Sequence, residues 1–369
     1  MNTKRLVDGF VELVKIGSES KQEGPLQNDL KRRLESLGLA VIEDNTAAET
    51  KLGAGNLFAV LPGTLDADPI FFSCHSDTVT PGNDIKPQIK NNIIYSDGTT
   101  ILGADDKAGI AAILEAIAML KESGVPHRTI ELIFTAGEEI GLIGASAFDT
   151  SQLSAKYGYV LDGSGPVGLI TIASPTVRRL EFNITGKSAH AGFEPEKGIS
   201  AIEIAAAAIA DMDLGRISKE TTANIGTITG GTAVNIVADS ASFTAEARSI
   251  IKKSVDDQIE HMISTTEYFA KHFGGKVSYT EQTPSPGYHF DDENFAVQLV
   301  SNAISSIGRS PVTEFSGGAS DANIFNAAGI DTVNLSVGYE NVHTVNEYIP
   351  IFELEIATEL IYYLVTHQY

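Results

Sequence analysis

Residues 69–77, PIFFSCHSD, and residues 129–135, TIELIFT, decide the fold class. Each contains a short run of β-branched and aromatic residues bounded by turn-forming or polar residues, which is typical of a buried strand. Similar runs occupy Asn56–Leu61 and Tyr157–Leu161, and a stretch with apolar residues at helical spacing, Asp105–Leu120, lies among them. This alternation predicts an α/β structure in which helices cover both faces of one sheet.

The pattern changes near Pro175 and changes back after residues 284–287, PSPG. Between these points the order is strand, helix, two strands, helix, strand, which predicts an α+β domain with a four-stranded sheet and two helices. Alternation of helix and strand then resumes. We therefore expect residues 1–175 and 288–369 to form one discontinuous domain, with residues 176–287 inserted into it as a second domain.

The composition excludes some classes of function. The chain has 369 residues, 48 of them acidic and 26 basic, and a formal net charge of −22. Such a surface repels nucleic acid and anionic membranes, so we expect neither as a partner. Cys74 is the single cysteine, which rules out an intramolecular disulfide and favours a reducing compartment. The sequence shows neither a signal peptide nor a membrane span, and we expect a cytoplasmic protein.

Residue types that bind metal ions follow the apolar strands. They are His75 and Asp77 in PIFFSCHSD, Glu138 and Glu139 in TAGEEIG, Asp162 in YGYVLDG, and His343 after the strand Thr332–Val337. Each has an ordinary structural explanation when taken alone. In open α/β sheets, however, ligands bind beyond the carboxyl ends of the strands. Two histidines with several carboxylates there predict a site for paired zinc, cobalt or manganese ions.

Two pairs of adjacent carboxylates strengthen this prediction. In LGADDKAG, residues 102–109, Asp105 and Asp106 open a helix, where one can cap the helix while the other reaches into a cleft. Glu138 and Glu139 have no cationic neighbour in the sequence and repel each other unless a cation lies between them. A metal ion would serve, and the neighbouring glutamate could act as a base.

Taken in order, His-x-Asp, GADDKAG, GEE, LDG and a late histidine resemble the M20 family of two-metal peptidases. The motif sequences are particularly similar to those of its tripeptidase T branch. Further segments similar to the family are GKSAHAG at 186–192, GGTAVNIV at 230–237, Glu246–Arg248 and SGGASDAN at 316–323. The resemblance covers nearly the whole chain. It implies an α/β/α catalytic domain, an inserted lid or dimerisation domain, and a homodimer.

The resemblance also implies a set of metal ligands at the matching positions. His75 and Asp162 would bind one divalent ion, and Glu139 and His343 would bind the other. Asp105 would bridge the two ions. Zinc is the expected metal, with cobalt or manganese as alternatives.

Catalytic and substrate-binding roles are implied in the same way. Asp77 would orient His75 and Asp106 would be a cap or a supporting group, while Glu138 would be the general base. In the inserted domain, His190 would polarise the substrate carbonyl. The matching residue of the family often does so in the active site of the other subunit of a dimer. Asn235 and Arg248 would hold the substrate's backbone and carboxylate.

The expected reaction is hydrolysis of an amide bond in a short peptide by a water that bridges two metals, with release of the N-terminal residue of a tripeptide. An aminoacylase or carboxypeptidase-like amidohydrolase of the same family is the alternative. A binding protein without catalysis is disfavoured because all the ligand positions and Glu138 are present. A two-metal phosphatase or nuclease is disfavoured because the acidic chain has no basic motif for phosphate.

Overall fold

The computed structural model describes residues 1–367, which form two compact units. Within the described residues, the first consists of residues 1–173 and 289–367, and the second is Ser174–Tyr288. The second unit is therefore inserted into the first. None of the helices within residues 1–367 is long and apolar enough to cross a membrane.

Helices and strands alternate along much of the chain, through both units. The helices are α1 (Thr3–Val14), α2 (Gly24–Ser36), α3 (Thr46–Thr50), α4 (Ala104–Ser123), α5 (Ile143–Ala147), α6 (Ala201–Asp211), α7 (Lys252–Phe273), α8 (Phe295–Ser306), α9 (Asp321–Ala327) and α10 (Ile351–Thr366). The strands are β1 (Ala40–Glu43), β2 (Leu57–Leu61), β3 (Ile70–His75), β4 (Gln88–Lys90), β5 (Ile93–Tyr95), β6 (Ile130–Thr135), β7 (Tyr157–Gly163), β8 (Leu169–Ser174), β9 (Thr176–Thr185), β10 (Gly215–Arg216), β11 (Thr221–Gly230), β12 (Ser240–Ser249), β13 (Lys276–Ser285), β14 (Tyr288–His289), β15 (Val312–Phe315), β16 (Asp331–Ser336) and β17 (Tyr348–Pro350).

A large mixed sheet forms the centre of the first unit. Its strand order is β1-β2-β6-β3-β7-β16-β8-β14, with β15 paired to β8. The central strands β6, β3, β7 and β16 are parallel. Every residue of β3 and of β6 is buried, as expected for strands covered on both faces. Gly158 of β7 allows close packing, because a Cβ there would lie 2.3 Å from the ring of Phe71.

Parallel strands place their carboxyl ends at the same edge of the sheet, and this edge carries the candidate site. His75 is the last residue of β3, and Asp162 is the last but one of β7. The glutamate pair follows β6 by three and four residues, and His343 lies in the loop after β16. Across this edge α4 begins at Ala104, after Gly103 with a φ of +71°. The fold thus explains how residues far apart in sequence converge.

The second unit is one antiparallel sheet covered by two helices. The strand order is β10-β11-β12-β9-β13, and α6 and α7 bury its inner face. Strand β9 alternates buried and exposed residues, and Phe182 stacks on Phe243 of β12 with ring centroids 4.7 Å apart. The prediction of four strands was wrong. The fifth, β10, has two residues, which is too short to give a periodic pattern in the sequence.

Candidate metal centre and active site

The Asp105 carboxylate lies between two histidines. Its Oδ1 is 2.9 Å from Nε2 of His75, and its Oδ2 is 3.3 Å from Nε2 of His343. The backbone of Asp105 is not helical although α4 includes it, with a φ of −77° and a ψ of 104°. The carboxylate therefore faces the edge of the sheet with one oxygen toward each histidine.

A further carboxylate accompanies each histidine. Oδ1 of Asp162 lies 3.6 Å from Nε2 of His75, and Oε1 of Glu139 lies 3.0 Å from Nε2 of His343. Three groups of possible ligand atoms, each within 4.8 Å of one another, result: His75, Asp105 and Asp162; Asp105, Glu139 and His343; and His75, Glu138 and Glu139. All five sequence-predicted ligands come together, and His75, Asp105 and Glu139 each belong to two groups. Of these three, Asp105 is the one whose carboxylate contacts both histidines.

The ring of His75 is held by its other nitrogen. Nδ1 is 2.9 Å from the backbone oxygen of Asp77, and a donated hydrogen bond there leaves Nε2 free to bind a metal ion. The Asp77 carboxylate is farther from Nδ1, at 3.6 Å. Asp77 was predicted to orient His75, and its shortest contact with the His75 ring is made by its backbone oxygen rather than by its carboxylate. The Asp106 carboxylate supports the same histidine, accepting a hydrogen bond from the His75 backbone N–H at 3.2 Å.

The Asp77 carboxylate instead organises the glutamate loop. It accepts the backbone N–H of Glu138 at 2.9 Å and that of Glu139 at 3.2 Å. The hydroxyl of Ser20 donates to the same carboxylate at 2.7 Å. One buried side chain therefore ties the glutamate loop to the segment that follows α1.

The electrostatics of the site favour cations. Burial and then the charge of Asp162 raise the pKa of Glu138 well above its usual range, and burial and the neighbouring Asp105 raise the pKa of Asp162 to about 7. Hydrogen bonds with Asp105 and Glu139 raise the pKa of His343 to about 10. The cluster therefore retains protons that its carboxylates would otherwise release. Divalent cations could neutralise the same carboxylates.

The spacing of the side chains also fits bound metal ions. Zinc binds nitrogen and oxygen ligands at about 2.0–2.2 Å in a tetrahedral arrangement, so neighbouring ligand atoms lie about 3.3 Å apart. The four contacts that join each histidine to its two carboxylates span 2.9 to 3.6 Å. The donor set of imidazole and carboxylate suits zinc, cobalt or manganese. The described residues therefore fit two divalent ions that share Asp105.

Comparison with known proteins identifies the family. Residues 71–367 match the model of peptidase family M20/M25/M40. The chain belongs to this family. The crystal structure of aminopeptidase PepT from Bacillus cereus ATCC 10987 has 51% sequence identity to this M20 peptidase and a TM-score of 0.95, covering 99% of this chain and 98% of that one. A tripeptidase from Staphylococcus aureus subsp. aureus Mu50 has 42% identity, the same TM-score and the same coverage.

A curated relative gives the same result at lower identity. Peptidase T from Fusobacterium nucleatum is 29% identical in an alignment that covers 90% of this chain and 87% of the relative. The resemblance to the peptidase T branch is therefore confirmed over most of the length of this M20 peptidase. It is a hydrolase with the α/β fold of its family.

Two of the three residues predicted in the inserted unit lie together. The loop of His190 pairs with the loop of Asn235, and the backbone N–H of Ala191 donates to the backbone oxygen of Asn235 at 3.0 Å. Both His190 and Asn235 are exposed, and the His190 ring lies 4.4 Å from that of Phe193. This geometry leaves His190 accessible to a ligand.

Arg248 lies elsewhere in the same unit. Asn235 precedes the first residue of β12, whereas Arg248 is the last but one residue of that strand. Eight residue steps separate Ser240 from Arg248, which is about 27 Å at the rise of an antiparallel strand. Arg248 pairs with Glu246, with its Nε 2.6 Å from a carboxylate oxygen. The structure does not bring Arg248 to His190 and Asn235.

Sequence reasoning missed several residues at the metal centre. The hydroxyl of Tyr339 donates to the Asp162 carboxylate at 3.0 Å, and Ser20 binds Asp77. Tyr339 lies four residues before His343, in the loop that carries this histidine. A tyrosine so near a predicted ligand in the sequence was a usable signal. Ser20 offered none, because it is one serine in a polar loop.

Proposed function

We propose that this M20 peptidase is a two-metal aminopeptidase that releases the N-terminal residue of tripeptides. The observation that carries the proposal is the Asp105 carboxylate, whose two oxygens each face a different histidine. Similarity to an aminopeptidase PepT and to a tripeptidase, at 51% and 42% identity over nearly the whole chain, supports the choice of substrate.

In this proposal His75 and Asp162 hold one divalent ion, Glu139 and His343 hold the second, and Asp105 is shared. Zinc is the proposed metal, with cobalt or manganese able to use the same donors. When bound, the two ions would supply Lewis acidity and lower the pKa of the attacking water.

Glu138 acts as the general base in this scheme. Its carboxylate accepts the proton of the attacking water as the oxygen bonds to the scissile carbonyl carbon. It then delivers that proton to the amine nitrogen as the carbon–nitrogen bond breaks. The position of Glu138 supports this role, because its carboxylate lies within 4.8 Å of ligand atoms of His75 and Glu139.

We further propose that the substrate contacts come from two copies of the chain. A fully extended tripeptide spans about 11 Å, much less than the length of β12. One copy is therefore not expected to place both Asn235 and Arg248 on the same short peptide, as a single clamp would require. A homodimer, with the inserted unit as lid and dimerisation domain, could combine His190 and Asn235 of one copy with Arg248 of the other.

A rate series tests the substrate. Ala-Ala, Ala-Ala-Ala, Ala-Ala-Ala-Ala and N-acetyl-alanine should be compared with zinc-loaded enzyme, with the tripeptide amide as control. A site that recognises the carboxylate at a fixed distance gives a rate optimum at the tripeptide, and amidation abolishes it. Preference for N-acetyl-alanine, or indifference to amidation, would refute the tripeptidase proposal and favour an aminoacylase.

A further inference from the structure

Glu347 joins the two loops that carry Asp105 and His343. It lies four residues after His343 and is 1% exposed. Its Oε2 accepts the backbone N–H groups of Leu102 and Gly103, both at 2.7 Å, and its Oε1 accepts that of Asp105 at 3.0 Å. Two oxygens therefore accept three amides from the loop that precedes and opens α4.

These amides need an acceptor from outside the helix. Leu102 and Gly103 precede α4, and Asp105 lies in its first turn, where N–H groups have no partner within the helix; no side chain of the N-cap residue Gly103 caps α4. Glu347 supplies this acceptor from a distant part of the sequence. A backbone N–H buried without a hydrogen-bond acceptor is costly. The loop is therefore most stable in the position where its N–H groups reach the Glu347 oxygens.

We propose that Glu347 is a positioning residue that fixes Asp105 relative to His343 and so preorganises the pair of metal sites. Asp105 can face both histidines only if its backbone is held in its non-helical conformation at the correct distance from the His343 loop. Glu347 belongs to that loop and binds the Asp105 backbone directly. The inference rests on the proposed two-metal function.

The test compares two isosteric variants. Glu347→Gln turns one acceptor into an NH₂ donor that must face a backbone N–H. Glu131→Gln is the matched control, because Glu131 is also buried and accepts the backbone N–H groups of Ser154 and Ala155, both at 3.0 Å. Glu131 lies near the start of β6, whereas the metal centre lies beyond its end.

Zinc affinity of each metal-free protein is measured by competition with a chelator, and amide exchange of residues 102–105 is measured without metal. Glu347→Gln should weaken zinc binding by about 10- to 100-fold, the usual effect of losing a group that supports a ligand. It should also speed exchange of the Leu102, Gly103 and Asp105 amides by about tenfold, equivalent to one net hydrogen bond. Glu131→Gln should change neither quantity but should lower the melting temperature to a similar extent.

The outcomes are distinguishable. Wild-type protein that binds fewer than two zinc ions overturns the two-metal function, and the inference with it. Wild-type protein that binds two, with unchanged affinity in Glu347→Gln, overturns only the role of Glu347. If the variant does not fold, exchange in the metal-free wild type decides, because unprotected Leu102 and Gly103 amides would show that Glu347 does not hold the loop.

Discussion

Replacing Glu138 by glutamine separates catalysis from metal binding at this centre. Glutamine keeps the shape of the side chain but cannot accept a proton from water. A positioned general base contributes about 10²- to 10⁴-fold to a rate, and each factor of ten corresponds to about 1.4 kcal/mol of transition-state stabilisation. We therefore expect kcat to fall by about a hundredfold or more, a loss of at least about 2.7 kcal/mol.

The structure also predicts what Glu138→Gln leaves intact. The Glu138 backbone N–H, which donates to Asp77 at 2.9 Å, is unaffected by the substitution. Burial and then the charge of Asp162 raise the pKa of Glu138, which means that the folded state disfavours the ionised carboxylate, a cost that glutamine does not carry. Its removal should leave the melting temperature of the metal-free protein unchanged or higher.

The assay is steady-state hydrolysis of Ala-Ala-Ala with zinc-loaded enzyme, together with elemental analysis of the same sample. Glu131→Gln, an equally conservative change at a buried glutamate of β6, is the control and should retain wild-type kcat. Loss of one zinc ion along with activity in Glu138→Gln would make Glu138 a ligand. A kcat within about fivefold of wild type would mean that Glu138 is not the base, since the expected loss is about a hundredfold or more.

Three further predictions follow from the same geometry. Asp105→Asn leaves one oxygen for two ions, so elemental analysis should find about two zinc ions in wild type and one or none in the variant; two in both would refute the shared ligand. The pKa values of Asp162, raised from 3.8 to about 7, and of His343, raised from 6.5 to about 10, mean that both groups bind protons more tightly in the folded state. Their contribution to the stability of metal-free protein is present at low pH and lost as pH rises, for Asp162 between about 4 and 7 and for His343 between about 6.5 and 10, so thermal melts should show a zinc-induced gain that grows with pH. Mixing His190→Ala with Glu138→Gln chains should restore part of the activity if His190 acts across a dimer, and no recovery in a verified heterodimer would mean that His190 acts within its own chain or has no role.

The fold was predictable where burial gives a strong pattern. The central strands β3, β6 and β7 were expected within about two residues of their observed ends, since apolar runs bounded by polar residues leave little choice. Strand β10 was missed because two residues cannot show a period of two. The sequence therefore predicts the layers of the first unit better than the edge of the inserted sheet.

The residues of the candidate site likewise divide into those that the sequence predicts and those that it does not. His75, Asp162 and Glu139 follow strands whose carboxyl ends must meet at one edge, so their proximity follows from the topology. Ser20 and Glu347 act through hydrogen bonds to a carboxylate and to backbone amides. Such contacts depend on how loops are placed and leave no spacing in the sequence to detect.

The separation of Asn235 from Arg248 has a similar origin. Both residues lie in segments similar to the family. The sequence of these segments does not show that Asn235 precedes β12 while Arg248 lies near the other end of that strand. Strand β12 fixes the distance between Ser240, which follows the Asn235 loop, and Arg248, because its ladders with β9 and β11 continue along nearly its whole length.

The order of the sheet explains why one carboxylate can serve two metal sites. His75 ends β3, and His343 follows β16, with β7 lying between these strands. Neighbouring strands are about 4.8 Å apart, so β3 and β16 are separated by about 9.6 Å. Each histidine also has a carboxylate of its own, Asp162 beside His75 and Glu139 beside His343, which favours two separate ions over one. Asp105 comes from neither strand, and its two oxygens can therefore face both histidines across the end of β7, where Asp162 completes the group around His75.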